Sequence, residues 1–393
     1  MRGAALTAAA AAAVAVVSGC GDGGGLAQRP PEPAKPERAR ASVPQHEKGP
    51  GVGGWRKSPA LKKHDVYAGT RAKDLSPAVR GVKSRIYVPN SQSATVTEID
   101  PKTYKVVREF PTGALPQHVT PSWDLKTLWV GNNVGNTLTP IDPKTGRPGK
   151  QVPVDDPYNL YFTPNGRYAM VIAERERRID FRDPQTMKLH HALSVDCLGV
   201  DHLDFTADGR FALASCEFSG KMIVVDVGAE KVVKQVPLRT GGSPQDVKLA
   251  PDGRLFYVAD MVANGLWKID AQTFEKVGFL PTGRGAHGLY PSRNSRVLYV
   301  SNRNEGSVSV VSFKTERVKK TWHLPGGGSP DMGGVSIDGK VLWLTGRYNA
   351  EVYAIDTRSG ELIKRIPVGQ GPHGLSVFPQ PGSHSLGHTG VTR

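Results

Sequence analysis

From about residue 66 onward, apolar and polar residues alternate in short runs, and each run stops at a turn rich in Gly, Pro, Asn or Asp. Period-two alternation of this kind predicts half-buried β-strands. The block from His118 to Pro157 shows the plan. HVTPSW reads as a first strand, TLWVGN as a second, NTLTPID as a third and, after PKTGRPGK, QVPVDD as a fourth. The turn after the first strand recurs as Pro164-Asn165-Gly166, Ala207-Asp208-Gly209, Pro251-Asp252-Gly253 and Ile337-Asp338-Gly339. Gly and Asn there supply the positive φ that tight hairpins need.

The block repeats. Its clearest anchor is an aspartate after an apolar pair or its equivalent, at Asp100, Asp142, Asp183, Asp226, Asp270 and Asp356, with Ser312 in the same slot of the sixth copy. A spacing of 41 to 44 residues, with short strands in each copy, predicts one four-stranded propeller blade per repeat. The chain enters with a second strand (RIYVPN), a third (TVTEID) and a fourth (VVREFP), and leaves with an isolated first strand (HGLSVFP, from His373). The expected fold is therefore all-β: a seven-bladed β-propeller of four-stranded blades, closed by N-terminal strands pairing with the C-terminal strand. Such closure hides the terminal sheet edges, and a monomer is expected.

The segments YVPN, LWVGN, YVAD and YVSN, each ten residues before an anchor, resemble the Tyr-Val-Thr-Asn repeats of the YVTN β-propeller family over residues 84–378. The resemblance implies the fold and an exported protein, and it implies no particular reaction. Related seven-bladed propellers bind haem in dissimilatory nitrite reductase and copper in nitrous oxide reductase. This chain lacks a C-x-x-C-H haem attachment motif and a two-cysteine copper motif, so neither complete enzyme is expected. It also lacks a nucleophile elbow, a phosphate loop and an H-E-x-x-H helix.

Composition divides the chain in three. In residues 1–20, Arg2 precedes an apolar stretch from Ala4 to Val17, too short to span a bilayer comfortably, which reads as an export signal. Its end, Val17-Ser18-Gly19-Cys20, resembles a bacterial lipobox, which implies that Cys20 is lipidated and holds the protein to the extracytoplasmic side of a membrane as a lipoprotein. The other reading is an ordinary secretory signal cleaved nearby. Residues 21–65, rich in Gly, Pro, Ala and charge, read as a disordered tether, and residues 66–393 as the propeller with a C-terminal tail. The net charge of +15 suits an anionic envelope surface. Its basic residues are spread over all blades rather than gathered in a stripe with stacking aromatics, so nucleic acid is not an expected partner. Cys197 and Cys216 flank one predicted hairpin; in an oxidising compartment they read as a disulfide, with metal ligation the alternative.

Aligning the copies yields a candidate site. Counting 24 residues back from the anchors, 25 for Ser312, reaches His118, Asn159, His202, Asp246, His287 and Met332, and His373 starts the closing strand. All seven begin innermost strands and should surround one mouth of the central channel, a binding site for a small molecule or a protein partner. His118, His202, His287 and His373 suit copper or another transition metal. A mouth about 10 Å or more across, the breadth expected of seven strand starts, favours a bulky flat ligand such as a tetrapyrrole over one small ion. The alternative is a polar plug, in which each imidazole only bonds neighbouring carbonyls. A second set, ten residues before each anchor, reads Asn90, Asn132, Ala173, Cys216, Asp260, Asn302 and Gly346, one shell further out. Arg175-Glu176-Arg177-Arg178 lies in a loop on the same face, as an anion lure or a solvated turn. The tail with His384 and His388 leaves from the opposite mouth and should join the ring only if it folds back.

Overall fold

The repeated anchor builds a turn. In the computed structural model, which describes residues 65–393, Asp270 Oδ1 accepts hydrogen bonds from the backbone N–H of Gln272 at 2.9 Å and Thr273 at 2.8 Å. Asp100, Asp183, Asp226 and Asp356 do the same two and three residues on, and Ser312 accepts from Thr315 N. This local bonding fixes the third-to-fourth strand hairpin. Four residues after every anchor the backbone turns left-handed, at Tyr104, Gly146, Met187, Glu230, Phe274, Glu316 and Gly360.

The hairpins assemble into seven antiparallel sheets, numbered here as blades in ring order. Blade 1 contains residues 85–111 with Ser376–Phe378; blades 2 to 7 contain residues 116–153, 157–194, 200–237, 244–281, 286–323 and 330–367. Arg85–Asn90 pairs with Ser376–Phe378, Ile86 opposite Val377, so the chain closes its own ring. The outer strand of blade 2 is broken into Arg147–Pro148 and Val152–Pro153, both paired to Thr137–Asp142, because proline has no N–H to continue a ladder. No helix among the described residues is long and apolar enough to cross a membrane.

Strand alternation distributes the core between blades. In blade 4, Ala212, Ala214, Ile223 and Val225 pack toward blade 3 with Ile179 and Phe181, whereas Leu213, Met222 and Val224 pack toward blade 5 with Phe256 and Val258. Each sheet is thus apolar on both faces, as radially stacked sheets require. Cys197 and Cys216 are joined by a disulfide across 19 residues, at the mouth end of blade 4. The export signal, Cys20 and the tether up to residue 64 lie outside the described residues.

Two segments close the channel at the end away from the strand starts. Residues 65–82 lie across it, with Val66 N donating to Pro251 O and Tyr67 Oη to Leu249 O. The C-terminal tail then turns into the channel. Ser385–Gly387 adds to the inner strand of blade 3, Gly387 opposite Tyr161, and Val391–Thr392 returns beside it. Arg393 ends in a buried ion pair with Asp204 at 3.2 Å.

Candidate functional site

The strand-start residues of blades 2 to 7 sit where the sheet register slips. The ladder between first and second strands is interrupted at Pro116/Val119, Val200/Leu203, Pro244/Val247, Ala286/Leu289 and Pro330/Gly333, and blade 3 slips at the same level. Bulges free side chains from strict alternation and re-aim them. The backbone groups they release find side chains on the second strand. His202 N is bonded by Ser215 Oγ, Gly288 N by Ser301 Oγ, and Met332 O by Thr345 Oγ1.

His118, Asn159, His202, Asp246, His287, Met332 and His373 are all buried at this level. Imidazole centroids stand 4.8 Å apart for His118–His373, 5.4 Å for His118–His202, 5.9 Å for His287–His373 and 6.2 Å for His202–His287. The rings therefore converge far more closely than a mouth about 10 Å across allows. The tail folds back through the channel and adds a fifth imidazole, placing His388 between His118 and His202, at 5.5 and 4.7 Å. His384 stays apart, stacked on Trp123.

The imidazoles form two groups. His287 Nδ1 and His373 Nδ1 lie 3.0 and 2.8 Å from the two oxygens of Asp331. Arg303 Nε donates to Asp331 at 2.9 Å, and its guanidinium also reaches His287 Nε2. The other group is His118, His202 and His388, with a ring nitrogen from each within 4.8 Å of the others. His118 Nδ1 donates to Tyr158 O at 2.9 Å. Asn159 Nδ2 donates to His202 Nδ1 at 3.0 Å and His388 Nδ1 at 3.2 Å. Its amide orientation is set by Leu160 N–H, which donates to Asn159 Oδ1.

Burial keeps every one of these imidazoles neutral. It pushes His202 and His388 down to about 4. His118, His287 and His373 lie well below the ordinary value, through burial first and neighbouring imidazoles or Arg303 and Arg347 second. Asp246 is also a clamp between blades, accepting from Leu289 N at 2.8 Å. Burial raises its carboxyl, but Lys248, His388 and His202 together hold it below the usual range.

Carboxylates and arginines that the alignment of strand starts passed over complete the mouth. Asp201 and Asp331 each precede a ring residue by one position. Glu174, Glu217, Arg303 and Arg347 each lie nine residues before an anchor, immediately after the second-strand set. That second set serves the blade instead. Asn90, Asn132 and Asn302 each bond two hydroxyls on the third strand. Asp260 accepts from Val262 N, Ala263 N and Trp267 Nε1. Cys216 is in the disulfide, Ala173 lies in the blade 3 sheet, and Gly346 pairs with Glu351. The signal that finds the mouth residues was present one position further on.

These residues give the mouth two opposed sides. On blades 3 and 4, burial and the neighbouring Asp201 raise Glu174 to about 8 and Glu217 to about 7. Asp201 is fully buried, neither of its oxygens has an aligned hydrogen-bond partner, and burial and Asp246 raise it well above the carboxylate range. His202 Nε2 stands 3.0 Å from it, out of hydrogen-bond alignment. On blades 6 and 7, Arg347 donates only to Ser91 Oγ and Gly371 O and has no carboxylate partner among the described residues. Exposed apolar side chains rim the opening: Phe218 at 65%, Tyr348 at 67%, Leu198, Val262 and Val134. Two of the three arginines of the 175–178 loop are already paired, Arg175 with Asp156 and Arg178 with Asp155 and Asp180.

Comparison with known proteins agrees with the architecture. A model of the YncE-like β-propeller family matches residues 66–380. The uncharacterized protein YncE of Salmonella typhi is 25% identical over 176 residues, 44% of this chain and 48% of that protein, so the chain spans about half the length of that curated relative. Among solved structures, the periplasmic gluconolactonase of Pseudomonas aeruginosa superposes with a TM-score of 0.63 at 19% identity, over 76% of this chain and 99% of the other. Hydrazine synthase of Kuenenia stuttgartiensis gives 0.61 at 20% identity, over 73% and 95%. At such identities the likeness is one of fold.

Proposed function

Because the chain belongs to the YncE-like β-propeller family, a fold that hosts many chemistries, we propose its function from the mouth itself: a binding module for a small zwitterionic ligand. The observation that carries this reading is Asp201, a fully buried carboxyl approached by His202 Nε2 and the Tyr158 hydroxyl but without an aligned hydrogen bond on either oxygen, beside two more acids of raised pKa. Buried carboxylates are ordinarily paired, and an unpaired cluster favours an incoming cation such as an ammonium group. Across the channel Arg347, with Arg303 behind it, offers a guanidinium to a carboxylate or phosphate. The rim of Phe218, Leu198 and Tyr348 covers an apolar portion lying between. The module works from the extracytoplasmic face of a membrane, to which Cys20 holds it.

The test is a melting-temperature and calorimetric screen of amino acids and dipeptides, with simple amines and carboxylic acids as single-charge comparators. Zwitterions should stabilise the protein and single-charge analogues should bind at least tenfold more weakly. Glu217→Gln should weaken binding of the amine end and Arg347→Ala that of the acid end. No binding at millimolar concentration, or binding unchanged in both variants, rejects the proposal.

A further inference from the structure

The second imidazole group has features that a polar plug does not need. His118, His202 and His388 are buried to 1%, 0% and 1% exposure, and the Nε2 of each lacks an aligned hydrogen-bond partner. Their Nδ1 atoms are all engaged, and that engagement assigns the tautomers. His118 donates through Nδ1 to Tyr158 O, which leaves a lone pair on Nε2. His202 and His388 accept hydrogen bonds from Asn159 Nδ2, so their lone pairs are on Nδ1, and their Nε2–H groups face Asp201 at 3.0 Å and Asp246 at 3.4 Å. A ring nitrogen from each of these three neutral imidazoles lies within 4.8 Å of the others, and two of the rings stand against acidic side chains, Asp201 and Asp246. Carboxylate behind imidazole is the arrangement that orients a metal-bound histidine and raises its basicity. One amide N–H₂ now serves the two lone pairs that a cation would take.

We propose that His118, His202 and His388 form a three-histidine site for a divalent first-row transition ion, copper or zinc, which fastens the C-terminal tail inside the propeller. Ring nitrogens within 4.8 Å of one another must approach to about 3.4 Å for bonds of roughly 2.1 Å to a tetrahedral ion. The mobile partner in that closure is His388. It sits on a single 3-10 turn, His388–Gly390, whereas His118 and His202 belong to sheet strands. Neutral imidazoles without thiolate suit copper(II) and zinc(II) rather than magnesium or calcium. The ligating nitrogens here are distinct from the acids and arginines of the mouth, with Asp201 bordering both, and binding couples metal occupancy to the order of residues 383–393.

Untagged, chelator-treated full-length protein is titrated with zinc chloride and, separately, copper sulfate against a chromophoric competitor. One equivalent should bind, at least tenfold more weakly in His118→Ala and His388→Ala and unchanged in His384→Ala. Cobalt(II) should give the visible bands of a four-coordinate site in the wild type alone. Metal should also slow amide exchange of residues 385–392 in the wild type and not in His388→Gln, a milder change that guards against misfolding of the alanine variant. Less than a tenth of an equivalent of either metal, or equal binding by wild type and His388→Gln with no change in tail exchange, overturns the proposal. Metal uptake without zwitterion binding rejects the reading of the mouth and leaves this one standing; zwitterion binding without metal uptake does the reverse.

Discussion

Asn159 and His388, 229 positions apart in sequence, meet at 3.2 Å on an amide that also serves His202 at 3.0 Å. One strand start is thereby joined to the tail and to the neighbouring blade. The tail belongs to the core of the ring, with Leu386 buried to 1% and Arg393 paired to Asp204. Its entry depends on Gly387. The backbone there has φ +104°, and a Cβ would stand 2.4 Å from Leu160 O and Tyr161 Cα. Gly387→Val should therefore expel the tail. Loss of the Leu386 packing alone costs about 2–5 kcal/mol. Chemical denaturation should show that loss, and carboxypeptidase should trim the variant quickly while sparing the wild type. Equal stability and equal resistance would show that the tail contributes nothing to the fold.

The anchor aspartates stabilise by a different means, through local bonds to backbone N–H groups. Those bonds hold Asp183, Asp270 and Asp356 below the usual carboxylate range. Asp270→Ala removes the acceptor for two N–H groups that water can partly reach, at a cost of about 1 kcal/mol. Urea unfolding should show that loss, with ligand and metal binding at the mouth unchanged. A loss of mouth binding in this variant would mean that the turn positions the site.

The architecture was legible because a propeller repeats its local chemistry. Each anchor, left-handed turn and alternating strand carries the same instruction, and seven copies leave little ambiguity. The ring of strand starts was legible for the same reason. His388 was not, since the tail is outside the repeat and its path through the channel depends on non-local packing against Tyr161 and Pro121. Asp201 and Asp331 hold equivalent positions, yet their pKa values are driven in opposite directions. At Asp331 burial is outweighed by Arg303, His287 and Arg347, whereas at Asp201 burial and the nearby Asp246 both push the carboxyl up. Position in the repeat places a carboxyl; its protonation follows from which neighbour fills the slots on other blades.

On the proposed lipoprotein reading, attachment to the membrane rests on Cys20, because the apolar stretch before it would be removed with the signal. Cys20→Ser should move the protein from the detergent phase to the soluble extracytoplasmic fraction, leaving its fold and ligand binding unchanged. Retention of the variant in the membrane fraction would assign the anchoring to another segment or to the net positive charge.

The acids and imidazoles of the mouth set opposite pH limits on stability. Glu217 and Glu174 stand at about 7 and 8 in the folded chain against 4.5 as the ordinary value. The folded state therefore binds more protons between those limits, and the contribution, complete below about 4.5, is lost as pH rises through 7 and 8. His202 and His388 stand at about 4 against 6.5. Their contribution is complete above about 6.5 and is lost as pH falls through 4. From these four groups stability should be greatest between about pH 4.5 and 6.5 and decline as pH rises to about 8. Glu174→Gln with Glu217→Gln should flatten the alkaline decline and leave the acid limb in place, read from denaturation midpoints between pH 4 and 9. A cationic ligand at these acids displaces their protons, so affinity for the amine end should rise as pH passes from 6 to 8 in the wild type and not in the double variant. An alkaline limb unchanged by the two substitutions would locate the titration elsewhere.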